Sequence, residues 1–381
     1  MDDVGREFVE GLRVCFGDLK DPRVVGRGDH VLLDIVSITL LAVMSGAEDW
    51  PDLEQFGQSR HDWLKTFLDL PGGIPSHDTF RRVLGLPDRK QFATCLFQWT
   101  RALHEATGEK LIAIDGKSLR RSGCKRNGSA ALHLVTAWAS ENGLTLGQIA
   151  CEEKSNEITA IPELLRLLNL KGTTVTIDAM GCPKEIAAQI RAQGGHYVLA
   201  LKGNQSGLQE DMQQWFEQGI QTDFAGIKHE VYETTETGHG RTDARTYHVI
   251  EVPKDHPQRH AWKDLQTLVV TISRRVVNEQ ASWESRSYVS SHRPKAKLLA
   301  QAVRKHWSIE NSQHWVLDVT FGEDVRRQQH RHGAANLAAV RRMAVTLLRQ
   351  DTTVKRGVKT KRLKCALDPN YLLKVLKQAK F

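Results

Sequence analysis

Residues 111–122 read LIAIDGKSLRRS, an apolar run that ends in a single carboxylate followed by cations. An apolar run of this length predicts a strand buried in a sheet. Asp115 can cap a turn after that strand, because Asp-Gly is a common turn dipeptide. It can equally be a metal ligand at the edge of the sheet, with the basic side chains placed to bind phosphate groups. This stretch alone leaves both interpretations open.

A second stretch has the same form. Residues 173–181 read TTVTIDAMG, and Asp178 follows its apolar run 63 residues after Asp115. If the two strands are neighbours in one sheet, both carboxylates emerge at the same edge. Two negative charges a few ångströms apart repel each other. Either a shared proton or a divalent cation, most often Mg²⁺, offsets the repulsion.

The composition is that of a folded protein with two or three domains. Of the 381 residues, 40% are hydrophobic, and 53 Lys and Arg face 45 Asp and Glu, which gives a formal charge of +8. This charge is compatible with a polyanionic partner without requiring one. The six cysteines are scattered without a CxxC pair, which argues against a zinc ribbon or a disulfide framework and favours a reducing cytosol. The most apolar stretch, residues 31–44, is too short to span a bilayer and predicts a buried helix, so we expect no membrane partner.

The periodicity of apolar residues changes along the chain and predicts four segments. Residues 1–105 have helical spacing and form a helical N-terminal domain that is a candidate for DNA binding. Residues 106–205 and 296–350 together form an α/β core. Residues 206–295 are predicted to be a β-rich insertion before the last helix of the core, and residues 351–381 are predicted to be a basic C-terminal tail.

Within the core, the order of elements predicts a mixed sheet covered by helices. Two strands joined by the short turn that contains Asn142 and Gly143 are expected to be antiparallel, and strands joined through a helix are expected to be parallel. The predicted strands are residues 111–116, 131–140, 144–153, 173–181 and 196–205, and the predicted helices are residues 157–168 and 182–195.

A third carboxylate is expected from the helix predicted to begin near residue 295. Leu299, Val303, Glu310 and Leu317 are spaced by 4, 7 and 7 residues and would share one helical face. An acid on a packing face is costly unless it is paired or binds a metal ion. We therefore interpret Glu310 as the third ligand.

Two alternatives to this interpretation remain. Three other acids follow, at or beyond the expected helix end and more easily solvated: Asp318, Glu323 and Asp324. His306, Glu310 and His314 also stand at four-residue steps, which is a pattern for a transition metal, although the metallohydrolase motif HExxH is absent.

Polar and basic side chains near these carboxylates are candidates for binding DNA phosphates, which would position the DNA and give salt-dependent affinity. For each of them taken singly, a solvated surface group is an equally good interpretation. The candidates are Lys117, Arg120, Arg121, Lys202, Asn204, His239, Arg241, Arg245, Arg304 and Lys305.

Several segments resemble, in order, those of one known family. They read IAIDGKSLR, EKSNEITAIPELL, TIDAMGCPKEIA with YVLALKGNQ, the HGR of GHGRTDAR, and HWSIENSQHWVLDV. From about residue 20 to residue 375, the chain is similar to the DDE transposases of bacterial insertion sequences, of the H-repeat-associated (Rhs-linked) type. The resemblance implies an RNase H-like catalytic core whose DDE triad falls on Asp115, Asp178 and Glu310.

The resemblance also implies a function. A DDE transposase cleaves DNA strands at the ends of its element and transfers them to a target. Three carboxylates would hold two Mg²⁺ ions roughly 4 Å apart, with Asp115 bridging them and Mn²⁺ able to substitute. The expected partners are double-stranded DNA, as element terminal repeats and target, and a second copy of the chain in the DNA complex. We expect a cytoplasmic protein that associates with the nucleoid when it binds DNA.

Two other functions remain as alternatives. One is a catalytically decayed relative that only binds DNA, and the other is an RNase H-like nuclease without strand transfer. The sequence also departs from a signature of many related transposases, Y-x₂-R-x₃-E-x₆-K, whose Tyr, Arg and Lys positions hold Val303, His306 and Leu317 here. The positive charges nearby are Arg304 and Lys305, so the contacts of the signature cannot be transferred to this chain.

Overall fold

A computed structural model describes most of the chain, as two compact units. Unit 1 comprises Met1–Glu109, Gly116–Asn156 and Ser308–Phe381, and unit 2 comprises Lys110–Asp115 and Glu157–Trp307. The described residues are 2–21, 23, 29–123, 128–151, 157–178, 183–201, 206–238, 240–328 and 330–378.

The bounds of the elements are as follows. The strands are β1 Leu111–Leu119, β2 Leu132–Ala139, β3 Leu144–Ala150, β4 Thr174–Ile177, β5 His196–Leu201, β6 His229–Gly238, β7 Arg241–Glu251, β8 Thr267–Val277 and β9 Gln280–Ser290. The helices are α1 Asp2–Phe16, α2 Leu32–Met44, α3 Trp50–Ser59, α4 His61–Leu64, α5 His77–Gly85, α6 Arg89–Thr107, α7 Glu157–Leu167, α8 Lys184–Ala192, α9 Ser206–Gln221, α10 Pro257–Ala261, α11 Ala296–His306, α12 Trp315–Phe321, α13 Arg331–Gln350, α14 Val358–Leu367 and α15 Pro369–Lys377, with a π-helical turn at Ile309–His314.

The sheet of unit 2 is mixed. Its strand order is β1-β4-β5-β9-β8-β7-β6. The strands β1, β4 and β5 are parallel, because α7 and α8 carry the chain back between them, and every later pair is antiparallel. The mixed α/β architecture predicted from the order of elements is therefore confirmed.

The segment 206–295 extends this same sheet. It begins with α9, which the sequence did not predict, and continues with four antiparallel strands, of which β6 was also missed. The strand β9 pairs with β5 in the register Leu199↔Val289, so the new strands join the sheet at that edge. Polar residues fill β6 on its exposed side, and for that reason its apolar signal in the sequence is weak.

Helix α11 covers one face of the unit 2 sheet. Leu299 and Val303 pack with Val198 and Tyr288 in one buried cluster that also includes Leu111 of β1. Side chains alternate between the two faces of a strand, so residues 111, 113 and 115 share the face that α11 covers. This alternation places Asp115 on the helix-covered face.

Unit 1 is mostly helical and also carries the β2–β3 hairpin. The predicted helical N-terminal region is confirmed as α1 to α6, and the predicted buried helix is α2. In the hairpin turn Gly143 has φ 66°, a conformation that glycine adopts without strain, so the predicted antiparallel pair is confirmed. Within the described parts of the chain, no helix is long and apolar enough to cross a membrane.

The C-terminal residues that the structure describes, up to residue 378, are folded and do not form a free tail. They include α14 and α15, and two of the cations counted as tail charges are buried. Lys361 Nζ donates to the Leu348 carbonyl at 3.0 Å, and Arg362 donates to the carbonyls of Val43 and Ala47 at 2.9 and 2.6 Å. The prediction of a basic tail is corrected, because buried carbonyl oxygens satisfy these cations.

The helix predicted from residue 295 through residue 317 is not continuous. Helix α11 ends at His306, and the π-helical turn Ile309–His314 precedes α12. A π-turn advances the chain differently from an α-turn, so a constant four- and seven-residue spacing no longer keeps one face. Glu310 is accordingly exposed, whereas Leu317 is buried. The argument that placed Glu310 on an apolar face was wrong.

Candidate active site

The two aspartates of the sequence motif are carried by neighbouring strands. The strand β1 continues through Asp115 to Leu119, so Asp115 does not cap a turn there, whereas Asp178 follows the last residue of β4. The strands β1 and β4 are parallel in the register Ala113↔Thr176 and Ile114↔Ile177. Asp115 and Asp178 are each the next residue along their strand. The two acids therefore lie side by side, as expected if the two strands were neighbours.

A buried contact between a threonine and a histidine lies beside Asp178. Thr176, two residues earlier on the same face, has its Oγ1 2.9 Å from Nδ1 of His306 in α11. Burial lowers the pKa of His306 to about 4, although the attraction of Asp178 partly opposes this shift. His306 is therefore neutral at ordinary pH, with one ring nitrogen engaged by the threonine, and contributes no charge to the site.

A groove opens beside Asp178. It has a volume of about 440 Å³, and α9, β9 and Trp307 contribute to its walls. Arg286 of β9 lines it, with its guanidinium carbon 4.2 Å from the centroid of the Trp307 ring. Its Nη2 is 2.8 Å from Oε1 of Glu284. Arg286 was not predicted from the sequence, because a cation inside a strand carries no signal of its own.

Glu310 lies in unit 1 on the π-helical turn. Ile309 and Gln313 of this turn are buried, and Gln313 Nε2 donates to Thr145 Oγ1 at 2.8 Å. The Glu310 side chain is exposed. π-turns within helices are frequent at functional sites, because the extra residue re-aims a side chain.

Lys117 does not lie on the surface, as a phosphate-binding residue would. Its side chain is 8% exposed, and its amine contacts Asp318, Glu323 Oε2 at 3.0 Å and Asp324 Oδ1 at 3.5 Å. Glu323 is completely buried and also accepts from Arg342 Nη1 at 2.8 Å. The DNA-binding role predicted for Lys117 is not supported by this placement, since three carboxylates already surround the amine.

The same contacts correct the expectation that the three acids after Glu310 are easily solvated. Burial alone would raise the pKa of Glu323, but Arg342, Lys117 and Arg341 lower it to about 2. Burial raises the pKa of Asp318, and the neighbouring acids add to the rise against the pull of Lys117. Glu323 is buried in this ion-pair network of unit 1, whereas the side chains of Asp318 and Asp324 are 34% and 17% exposed. The amine of Lys117 contacts all three acids, which argues against their use as metal ligands.

The other predicted DNA contacts fall into three groups. Arg120 is 82% exposed and pairs with Asp324 at 3.3 Å, and Arg121 is exposed. The three arginines from the unit 2 sheet and α11 have acidic partners: Arg241 with Asp243, Arg245 with Glu236 and Asp243, and Arg304 with Glu236. Lys305 is partly exposed, while Lys202, Asn204 and His239 lie outside the described residues.

The donor chemistry at the edge of the sheet suits a hard divalent cation. Asp115 and Asp178 provide carboxylate oxygens, the ligands that Mg²⁺ prefers in proteins. Within the described ranges, no three or more His, Cys, Asp or Glu side chains are grouped closely enough to hold a metal ion.

A sheet of parallel and antiparallel strands, with aspartates leaving two neighbouring strands at one edge, defines the RNase H-like class of fold. Comparison with known proteins identifies the family. The family described as "Transposase DDE domain" matches residues 106–347, and one described as "DDE_Tnp_1-associated" matches residues 14–100. The chain belongs to the DDE transposase family.

Its relatives include proteins of nearly the same length. The chain is 42% identical to "Putative transposase YncI" of Escherichia coli O157:H7, over 97% of this chain and 95% of the relative. It is 39% identical to "H repeat-associated putative transposase YhhI" of Escherichia coli strain K12, over 94% and 95%. The predicted resemblance to the H-repeat-associated type is thus confirmed, and DNA transposition is the activity that the family supports.

Proposed function

We propose that this protein cleaves DNA at the ends of an insertion element and transfers the strands to a target, with Asp115, Asp178 and Glu310 as ligands of divalent metal ions. The observation that carries the proposal is the register Ile114↔Ile177, which brings the next residue of each strand to the same edge of the sheet. Glu310 is included because the motif HWSIEN resembles the family motif and because a π-turn carries it.

The chain's own residues hold and position the reacting groups. Asp178 follows β4, which pairs with β1 on one side and β5 on the other, and Asp115 lies on β1, which packs under α11. The backbone that carries the two carboxylates is therefore held rigidly. Two divalent ions, Mg²⁺ or Mn²⁺, would activate the attacking water or 3′-hydroxyl and stabilise the leaving oxygen. None of the three carboxylates is required to accept a proton itself.

The DNA contacts and partners that we propose follow from charge. Arg121 and Arg120 are exposed cations close in sequence to Asp115, and they are placed to bind backbone phosphates. The terminal repeats and the target are both double-stranded DNA, and two copies of the chain would bring two element ends together. Such a protein works in the cytoplasm, at the nucleoid when DNA is bound.

The test is incubation of the full chain with linear DNA that carries the cognate element ends, a target plasmid and Mg²⁺. Cut ends together with joined products support transposition. Cut ends without joined products indicate a nuclease that lacks strand transfer. Binding without any cut indicates a decayed relative, and this result would overturn the proposal.

A further inference from the structure

Arg286 lies at the same edge of the sheet as the two aspartates. The register continues from β4 to β5 as Ile177↔Leu199 and from β5 to β9 as Leu199↔Val289 and Ala200↔Tyr288. Asp178 is the residue after Ile177 and is therefore level with Ala200 of β5 and Tyr288 of β9. Arg286 is two residues beyond Tyr288 on the same face of β9, because strand side chains alternate. Two strand spacings, about 10 Å, separate β4 from β9.

The guanidinium of Arg286 is already held in a defined orientation. One flat side lies over the Trp307 ring, at 4.2 Å from its centroid. Both Nε and Nη2 reach Oε1 of Glu284, at 2.8 Å each. Stacking on an indole leaves the edge N–H groups of an arginine available for a planar or tetrahedral anion.

Charge in the groove is otherwise acidic. Among the described residues that line the groove, Arg286 is the one cation, beside Asp178, Glu217 and Glu284. His306, on the covering helix, is neutral for the reason given above. Of the described residues that line the groove, Arg286 is therefore the one that can attract a phosphodiester approaching Asp178, and a guanidinium binds phosphate through two parallel hydrogen bonds.

Glu284 is the acid that engages the guanidinium of Arg286. It stands two residues before Arg286 on the same face of β9, and its side chain is 59% exposed while that of Arg286 is 38% exposed. An exposed ion pair of this kind contributes little stability, so a better anion displaces it at small cost. Both side chains are open to the groove from the solvent side.

We propose that Arg286 binds a backbone phosphate of the DNA strand that enters the groove beside Asp178, and that Glu284 holds the guanidinium until DNA displaces it. This inference rests on the proposed function, because it places substrate DNA at Asp178. Arg286 is a substrate-binding residue in this scheme, and Glu284 is a competing internal anion. Trp307 fixes the plane of the guanidinium.

The experiment measures binding of the full-length protein to a short fluorescent duplex of arbitrary sequence, in EDTA, across a series of KCl concentrations. Arg286→Gln should weaken binding and lower the slope of log Kd against log salt by about one. Arg286→Lys should restore the slope, because the charge returns. Glu284→Gln should tighten binding, and the double variant should behave as Arg286→Gln alone.

A matched control is available on the neighbouring strand. Arg274 lies over Trp283 with 5.7 Å between guanidinium carbon and ring centroid, in the same kind of stack, but it does not line the groove. Arg274→Gln should leave the slope unchanged. Thermal midpoints of all variants should match the wild type, so that lost binding is not lost folding.

Three results would overturn the inference. They are an unchanged slope in Arg286→Gln, weaker binding in Glu284→Gln, and an equal loss in Arg274→Gln. The assay needs neither metal nor cleavage, so it separates the two proposals. If the wild type does not cut DNA but Arg286→Gln lowers the slope, the proposed cleavage is rejected and the phosphate contact is kept. If the wild type cuts DNA but Arg286→Gln leaves the slope unchanged, only the phosphate contact is rejected.

Discussion

Lys117 Nζ lies 3.0 Å from Glu323 Oε2, and both residues belong to unit 1. Lys117 follows Asp115 by two residues in the chain. The side chains of Lys117 and Glu323 are buried, and Arg342 Nη1 completes the network at 2.8 Å from the other oxygen of Glu323. Burial by itself lowers the pKa of Lys117, but the attraction of Glu323 and Asp318 raises it above its ordinary value. The ion pair therefore anchors the end of β1 that follows the proposed metal ligand.

The first prediction concerns this pair. Lys117→Met leaves Glu323 with one of the two cations that contact it in a buried site, and removing one partner of a buried ion pair costs roughly 3–5 kcal/mol. We expect the free energy of unfolding, measured with urea, to fall by about that amount. Arg120→Ala is the control, because its side chain is 82% exposed beside Asp324 and surface pairs contribute about 0–1 kcal/mol. Equal losses in both variants would contradict a buried role for Lys117.

The second prediction concerns acid. Glu323 has its pKa lowered from an ordinary 4.5 to about 2 in the folded protein, so the unfolded chain binds more protons between these values. The stabilisation is complete above about pH 5 and is lost as the pH falls towards 2. Urea midpoints should therefore drop steeply over this range in the wild type. Asp318, whose pKa is raised, has the opposite effect and makes the overall loss of stability with falling pH less steep.

Glu323→Gln isolates the contribution of Glu323. The variant is less stable at neutral pH, because Lys117 and Arg342 lose a buried partner. Its stability should decline less between pH 5 and pH 2 than that of the wild type, by an amount on the order of 3 kcal/mol. Parallel pH profiles for the two proteins would show that the stabilising anion lies elsewhere.

The third prediction concerns the paired aspartates. Asp115→Ala and Asp178→Ala should each abolish cleavage in Mg²⁺ and leave duplex binding largely intact, since a metal ligand is lost and the phosphate contacts are not. Cleavage of an end-containing duplex and fluorescence binding are measured on the same samples. Asp255→Asn, an exposed acid of unit 2, should cut normally. Full cleavage by either alanine variant would reject the ligand assignment.

The fourth prediction concerns Glu310. Because its side chain is exposed, Glu310→Gln should change stability by no more than about 0.5 kcal/mol, yet cleavage should fall by orders of magnitude. Glu10→Gln, another exposed helical acid, should change neither property. The comparison also separates Glu310 from Glu323, because a substitution of Glu323 lowers the stability of the fold, whereas a substitution of Glu310 does not. An active Glu310→Gln enzyme would mean that the third ligand has been misplaced.

The fifth prediction concerns the C-terminal helices. Replacing the exposed cations Lys355, Arg356 and Lys359 with glutamine should lower the salt slope of DNA binding by up to about three and leave the thermal midpoint unchanged. Arg362→Gln should instead destabilise the fold, because three buried carbonyl oxygens lose their donor. If the triple variant binds with an unchanged slope, these charges are only solvated surface.

The amino-acid sequence alone determined the strands that carry the two aspartates and the order of elements around them. An apolar run that stops at an acid is a local pattern, and so is the Asn142-Gly143 turn, whose positive φ only a few residues accept. Helices α7 and α8 were predicted in the same way, within three residues of their ends. From the sequence, Asp115 and Asp178 were expected at the same edge only if β1 and β4 were neighbours in the sheet.

Only the tertiary structure decided which charges are buried and which are exposed. Lys117 and Lys361 look like surface cations in the sequence, because their acidic or carbonyl partners lie elsewhere in the chain and no periodicity encodes them. Glu310 left the predicted face because one π-turn altered the spacing on which that face depended. Arg286 comes near Asp178 because β9 pairs with β5, and pairing between distant strands depends on packing across the whole sheet.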